Sequence, residues 1–161
     1  MKKLIIYYSQ ARGNTRRIAK MIQQATGADM EEIATVTPYT GSYEEIVNQG
    51  QREVKAGFMP ELKPMQSDLA QYDEIILGTP TWWYTMAPAV RTFLTQHDLA
   101  GKKVVLFQTH GGWPSHCLKD MEKMCNGADI VSTYSVQFDS TGGAHLETPL
   151  ADIEQWIQTL K

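Results

Sequence analysis

Three short stretches of this sequence combine hydroxyls, glycines and aromatic rings in ways that suit ligand binding better than core packing. The first, Ser9-Gln10-Ala11-Arg12-Gly13-Asn14-Thr15, follows an apolar run and precedes a helical pattern. A hydroxyl at each end, a glycine in the turn and the N–H groups of a helix N-terminus together make a cradle for a phosphate dianion. It is neither a Walker loop, since no Lys precedes the last hydroxyl, nor G-x-G-x-x-G, since it holds a single glycine. Nucleoside triphosphates and dinucleotides are therefore disfavoured. As a plain βα turn, the same residues would only cap the helix through Asn14 or Thr15.

The second stretch, Gly78-Thr79-Pro80-Thr81-Trp82-Trp83-Tyr84-Thr85-Met86-Ala87-Pro88, puts three aromatics side by side beyond an apolar run. Such a cluster offers flat faces to a planar conjugated ligand, and Thr79, Thr81 and Thr85 offer hydroxyls to a polyol chain. Its alternatives are a lid packed on the protein itself or a partner interface. The third, Gln108-Thr109-His110-Gly111-Gly112-Trp113-Pro114-Ser115-His116, lets the backbone pass close to a ligand at Gly111 and Gly112 and adds another indole at Trp113. His110 and His116 lack metal-ligand spacing and read as hydrogen-bonded loop histidines. No metal is expected.

These stretches need a frame, and the hydrophobic pattern supplies one. Leu4 to Tyr8 is a strand; Ile18, Met21, Ile22 and Ala25 lie on one helical face, and Gly27 stops that helix. A weak strand runs around Met30 to Ile33. Ser42 and Glu45 fit a capping box ahead of Ile46, Val47 and Val54, with Gly50 weakening that helix. Glu74 to Gly78 and Val104 to Phe107 are continuous apolar runs, as expected for strands covered on both faces. Pro88 opens a helix through Val90, Phe93 and Leu94; Leu118 to Met124 is another; Ile130 to Phe138 is an outer strand. Thr148 and Pro149 start a final helix with a core stripe of Leu150, Ile153, Trp156, Ile157 and Leu160. Pro60 to Asp68 is a surface connection. Five strands alternate with five helices, so residues 1–161 are expected to form one three-layer α/β domain, and the three unusual stretches all follow strands.

Composition excludes much else. The chain has 161 residues, 42% hydrophobic and 20% charged, which is ordinary globular usage. A net charge of −3 and a pI near 5.8 provide no basic stripe for nucleic acid. No segment approaches the roughly 18 to 20 apolar residues of a membrane span, and the apolar N-terminal run is too short for a signal peptide. A cytoplasmic location with no membrane partner is expected. Cys117 and Cys125 form no redox or zinc pattern and read as buried and inert.

In this order, the phosphate-type loop, the Thr-Pro-Thr-Trp-Trp segment and the Thr-His-Gly-Gly segment resemble the flavodoxins, in particular a bacterial branch of short flavodoxin-like flavoproteins, over essentially the whole chain. The resemblance implies a doubly wound sheet of five parallel strands in the order 2-1-3-4-5, an order that comes with the family and not from the spacing. It implies FMN as cofactor. Ser9, Arg12, Gly13, Asn14 and Thr15 would hold the phosphate, and Thr79, Pro80 and Thr81 would line the ribityl chain. Trp82 and Trp83 would wall one side of the isoalloxazine; Thr109, His110, Gly111, Gly112 and Trp113 would close the other. Two departures stand out. Flavodoxins are commonly very acidic, whereas Arg12, Arg16 and Arg17 sit in or after this phosphate loop, which predicts a less negative potential for the reduced flavin. The Trp82-Trp83 segment also contains no glycine, so the peptide flip of some flavodoxins is not expected.

Electron transfer between redox partner proteins follows from the resemblance, with the chain a monomer or weak homodimer and no catalytic side chain required. An NAD(P)H-dependent quinone or nitro-compound reductase on the same scaffold is the alternative, with Tyr84, Trp113 and the segment Asp139-Ser140-Thr141-Gly142-Gly143-Ala144-His145 bordering a second substrate. A receiver would need acidic residues where Ser9 and Thr79 stand; a phosphatase of this topology would need a Cys in the first loop; a hydrolase would need G-x-S-x-G. None is present.

Overall fold

The structure, a computed structural model, describes residues 1–10, 13–141 and 143–161. Its sheet is built from β1 (Lys3–Tyr7), β2 (Asp29–Glu32), β3 (Glu74–Trp82), β5 (Lys103–His110) and β6 (Asp129–Gln137), with the short β4 (Thr85–Met86) paired to β3. The order β2-β1-β3-β5-β6 is parallel throughout and matches the expected 2-1-3-4-5 arrangement of the five principal strands. The sixth strand was not expected. It exists because β3 does not stop at Gly78: it runs on beside β5 as far as Pro80 opposite Thr109, then pairs Thr81 with Met86 and Trp82 with Thr85 in an antiparallel hairpin.

Strand alternation sorts the apolar side chains onto two faces. Leu4, Ile6, Ile75, Leu77, Val104 and Leu106 face α3 (Pro88–Gln96) and α4 (Cys117–Met124), with Phe93 and Met121 buried among them. Ile5, Ile76, Val105 and Phe107 face α1 (Asn14–Thr26) and α5 (Leu150–Gln158), with Ile18, Ile22 and Ile153 completing that layer. Each fully buried side chain of this kind contributes about 1.5–3 kcal/mol. Cys117 and Cys125 are both buried, and burial pushes their thiols up to about 12 and about 11.

The helix boundaries follow local chemistry. Gly27 ends α1 in the left-handed conformation with its N–H on the Gln23 carbonyl. Ser42 Oγ accepts from the Glu45 N–H at 3.1 Å and starts α2 (Tyr43–Ala56). Gly50 lies within that helix because Trp82 presses on it: a Cβ there would come 3.1 Å from Trp82 Cε3. Two details of α5 differ from expectation. Thr148 does not cap it; its hydroxyl instead accepts from the Gln137 N–H at 2.7 Å, tying the chain to the end of β6. Leu150, at the first position of the helix, is 47% exposed and lies outside the core stripe.

A cleft at the strand ends

The carboxyl ends of β1, β3 and β5 open onto a cleft of about 300 Å³. At one end lies the α1 N-terminus. Gly13 turns the chain into the helix at φ +72°, a left-handed conformation that a Cβ disfavours. The first helical N–H groups have no partner inside the helix, and of these the Arg16 N–H goes to Ser9 Oγ at 3.3 Å. The Asn14 and Thr15 side chains do not cap. Thr15 Oγ1 lies 2.8 Å from Thr109 Oγ1, joining α1 to β5 in a buried pair. Asn14 Nδ2 donates to the Gly143 carbonyl at 3.1 Å and so tethers the segment after β6.

That segment is closed by Asp139. Its carboxylate accepts from the Thr141 hydroxyl, the Gly143 N–H, the His145 N–H and the Thr141 N–H. These bonds, the Thr141 hydroxyl first and the Gly143 N–H next, hold its pKa down at about 2. Among the described residues lining the cleft, Asp139 is the one acidic side chain. Its charge is absorbed by donors of its own loop, which leaves the α1 end suited to an anion.

The other end is aromatic. Trp82 lines the cleft with its indole edge-on to Tyr8 and Tyr39, at ring-centroid distances of 6.0 and 5.1 Å. Trp83 Nε1 donates to the Val47 carbonyl of α2 at 2.9 Å. Trp83 and Tyr84 form the two-residue hairpin turn, with φ of 49° and 76°. Positive φ at both positions is type I′ geometry, normally given to Asn-Gly, and in bulky residues it is strained. The hairpin is pinned at its base, where Thr79 Oγ1 accepts from the Ala87 N–H at 3.1 Å, and on its outer side, where Thr85 Oγ1 donates to Asp120 at 2.6 Å. Opposite stands the β5 loop with Trp113, 63% exposed. His110 Nδ1 accepts from the Gly112 N–H at 2.9 Å, and burial lowers its pKa, so the ring is a neutral acceptor at neutral pH.

Of the anticipated residues, Asn14, Thr15, Pro80, Thr81, Trp82, Trp83, Thr109, His110, Gly111 and Trp113 line this one cleft. Ser9 and Gly13 shape the α1 entry behind it. Thr79 does not reach it: the residue is wholly buried, and its hydroxyl serves the hairpin. The Gly112 N–H is taken by His110 and does not point at a ligand. Arg12 lies outside the described residues. The Arg16 guanidinium is engaged by both Glu32 oxygens at 2.5 and 3.0 Å, while Arg17 sits 5.9 Å from the Phe138 ring centroid. His116 bonds Asp120 at 2.5 Å.

The sequence reading missed the α2 wall. Tyr43, Ile46, Val47 and Gly50 fall at i, i+3, i+4 and i+7 and all line the cleft. Their spacing marked a helix face, which reads equally well as core; the glycine within it was the sign of a close neighbour. Gln10 and Phe138 line the cleft without a ligand-binding signal in the sequence, and Asp139 and Ser140, which the sequence places at the border of a second substrate, line it too.

A family model described as Flavodoxin matches residues 2–146. Flavodoxin 1 of Shigella flexneri is 29% identical over 161 residues, covering 94% of this chain and 77% of that protein. Flavodoxin 1 of Escherichia coli K12 is 29% identical over 106 residues, 63% of this chain and 46% of that protein, so the match spans less than half of that relative. A crystal structure of a Bacteroides uniformis protein superposes with a TM-score of 0.80 at 26% identity, covering 98% of this chain and 97% of the other. A Lactobacillus acidophilus flavoprotein in complex with FMN shares the fold at a TM-score of 0.71 and 20% identity, covering 83% of this chain and 92% of the other.

Proposed function

This chain belongs to the flavodoxin family, and on that premise we propose that it binds FMN in the cleft and carries electrons between redox partner proteins of the cytoplasm. The observation that supports this most is the pairing of an anion-ready helix terminus with the indoles of Trp82, Trp83 and Trp113 along a single cleft. When bound, FMN supplies the redox chemistry; the protein supplies placement, potential and access.

The donor set fits the cofactor. Asn14 and Thr15 N–H groups hold the phosphate, with Ser9 and Gly13 setting the loop and Arg12 as a further candidate. Thr81, whose hydroxyl accepts from Gln108 Nε2 at 2.8 Å, meets the ribityl chain beside Pro80. The indoles and the His110-Gly111 backbone enclose the ring system. Arg16 is neutralised locally by Glu32, so of the two described arginines in the first turn of α1, Arg17, 5.9 Å from the ring of the cleft residue Phe138, is the one left to raise the flavin potential.

Titration calorimetry of the apoprotein with FMN is expected to show saturable binding of one FMN per chain. The loaded protein should then pass electrons from an added reductase to cytochrome c, without oxidising NAD(P)H by itself. No heat on adding FMN would sink the reading. Steady NAD(P)H oxidation with a quinone and no added reductase would replace it with the reductase on the same scaffold.

A further inference from the structure

An aromatic path leads inward from the cleft and ends on a carboxylate. Trp82 borders the cleft, and Tyr39, only 8% exposed, meets it edge-on at 5.1 Å between ring centroids. The Tyr39 hydroxyl donates to Glu53 Oε1 at 2.5 Å, while Glu53 Oε2 accepts from Gln49 Nε2 at 2.8 Å. Packing alone does not call for this: a phenylalanine would fill the same space without a hydroxyl to desolvate. Glu53 also lines a second surface cleft of about 310 Å³, beside Arg91 and Lys123, through which a proton can reach solvent. The neighbouring Tyr8 provides an internal contrast. It too touches Trp82, at 6.0 Å, but its hydroxyl donates at 3.0 Å to Gln10 Oε1, an amide oxygen that is no useful base.

We propose that Trp82, Tyr39 and Glu53 form a route by which an oxidising hole leaves the flavin site. The route rests on the FMN reading, and its oxidant is the light-excited flavin. One electron passes from Trp82 to the excited flavin, and Tyr39 returns an electron to the Trp82 radical cation. The phenol proton moves along its hydrogen bond to the Glu53 carboxylate. The products are a neutral tyrosyl radical, a neutral carboxylic acid and a flavin holding one extra electron; recombination reverses the three transfers. Tyr39 is the terminus and Tyr8 is not, because an oxidised phenol is strongly acidic and is stabilised only where a base waits within hydrogen-bond reach. Burial and the Glu53 bond hold the Tyr39 phenol well above its ordinary pKa, so it keeps its proton until the ring is oxidised.

Flash photolysis of the FMN-loaded protein, read by the near-ultraviolet band of the tyrosyl radical, tests the route, with bound flavin confirmed by absorption in every sample. Wild type and Tyr8→Phe are expected to show the band and Tyr39→Phe to lose it. Heavy water is expected to slow the appearance of the band in wild type, and Glu53→Gln should lower its yield several-fold and remove that slowing; an unchanged yield in Glu53→Gln overturns the proton step and the route with it. A band that persists in Tyr39→Phe, that vanishes in Tyr8→Phe, or that never forms in wild type with flavin bound overturns the route alone. A wild-type sample that takes up no flavin overturns the FMN reading, and the route with it.

Discussion

The two ends of the cleft use left-handed backbone in opposite ways. At the α1 end the chain turns through Gly13, where φ is +72° and an added Cβ would meet nothing within 4 Å. At the hairpin end Trp83 and Tyr84 carry φ of 49° and 76° with full side chains. The first end is relaxed and heavily hydrogen-bonded: the Thr15–Thr109 pair, the Asn14–Gly143 tether and the Asp139 clamp all converge there. The second is held by side-chain pins against a backbone preference. The contrast suits a site whose anionic tail needs a fixed anchor, while its ring end gives up local stability to place indoles where no relaxed turn would put them.

The hairpin end holds the largest effect. Trp82 joins the core cluster, the cleft and the Gly50 contact at once, so Trp82→Ala should lower unfolding stability by about 3 kcal/mol. Removing an aromatic wall should also weaken FMN by about 1–3 kcal/mol, in line with stacking of bases on aromatic side chains. Denaturant melts with and without FMN separate the two losses. A variant as stable as wild type would show that the ring end is not fastened through this indole.

At the anchor end the next largest effect lies in the buried hydroxyl pair, where Thr15 is 1% and Thr109 4% exposed. Thr15→Val strands the Thr109 hydroxyl and should cost about 1–2 kcal/mol, whereas Thr15→Val with Thr109→Val should recover much of it. Additive losses in a double-mutant cycle would mean that the two hydroxyls do not act as a pair.

Smaller still, and opposite in sign at the two ends, are changes at the left-handed residues. Gly13→Ala adds only torsional strain and should destabilise by about 1 kcal/mol. Tyr84→Gly relieves such strain at an exposed position and should stabilise by about 1 kcal/mol. Thermal melts of the two variants, run as apoprotein, check the signs. Equal shifts in the same direction would erase the distinction between a relaxed and a strained end.

This contrast also explains what could be read in the sequence. The anchor end announces itself locally: a glycine, two hydroxyl residues and a strand-to-helix change within seven positions, ended by Gly27 at the far side of α1. The aromatic cluster was equally legible as a surface. Its backbone was not, since type I′ turns are recognised by Asn and Gly, and Trp83-Tyr84 offers neither. Thr79 looked like one more hydroxyl for the ligand because nothing in its spacing says that β4 folds back and brings the Ala87 N–H to it. Likewise, the α2 stripe has the helical period of any core face, and only tertiary packing turns Tyr43, Ile46 and Val47 toward a cleft.

The gentlest perturbation of the anchor end is acid. Asp139 holds the 139–145 loop through bonds that its ionised form accepts, and they depress its pKa to about 2 from an ordinary value near 3.9. A depressed carboxylate contributes fully above its unfolded pKa and loses that contribution as pH falls through the folded one. The Gly143 and His145 N–H groups should therefore stay protected from exchange at pH 4 and above and lose protection together as pH approaches 2. The Asn14–Gly143 tether ties this loop to α1, so exchange at the helix entry should rise in the same interval, while the hairpin amides Thr85 and Ala87 follow only global unfolding. Asp139→Asn should show the low-pH exchange pattern already at neutral pH. Hairpin amides that loosened together with the loop would mean that the two ends are one cooperative unit and that the anchor has no independent grip.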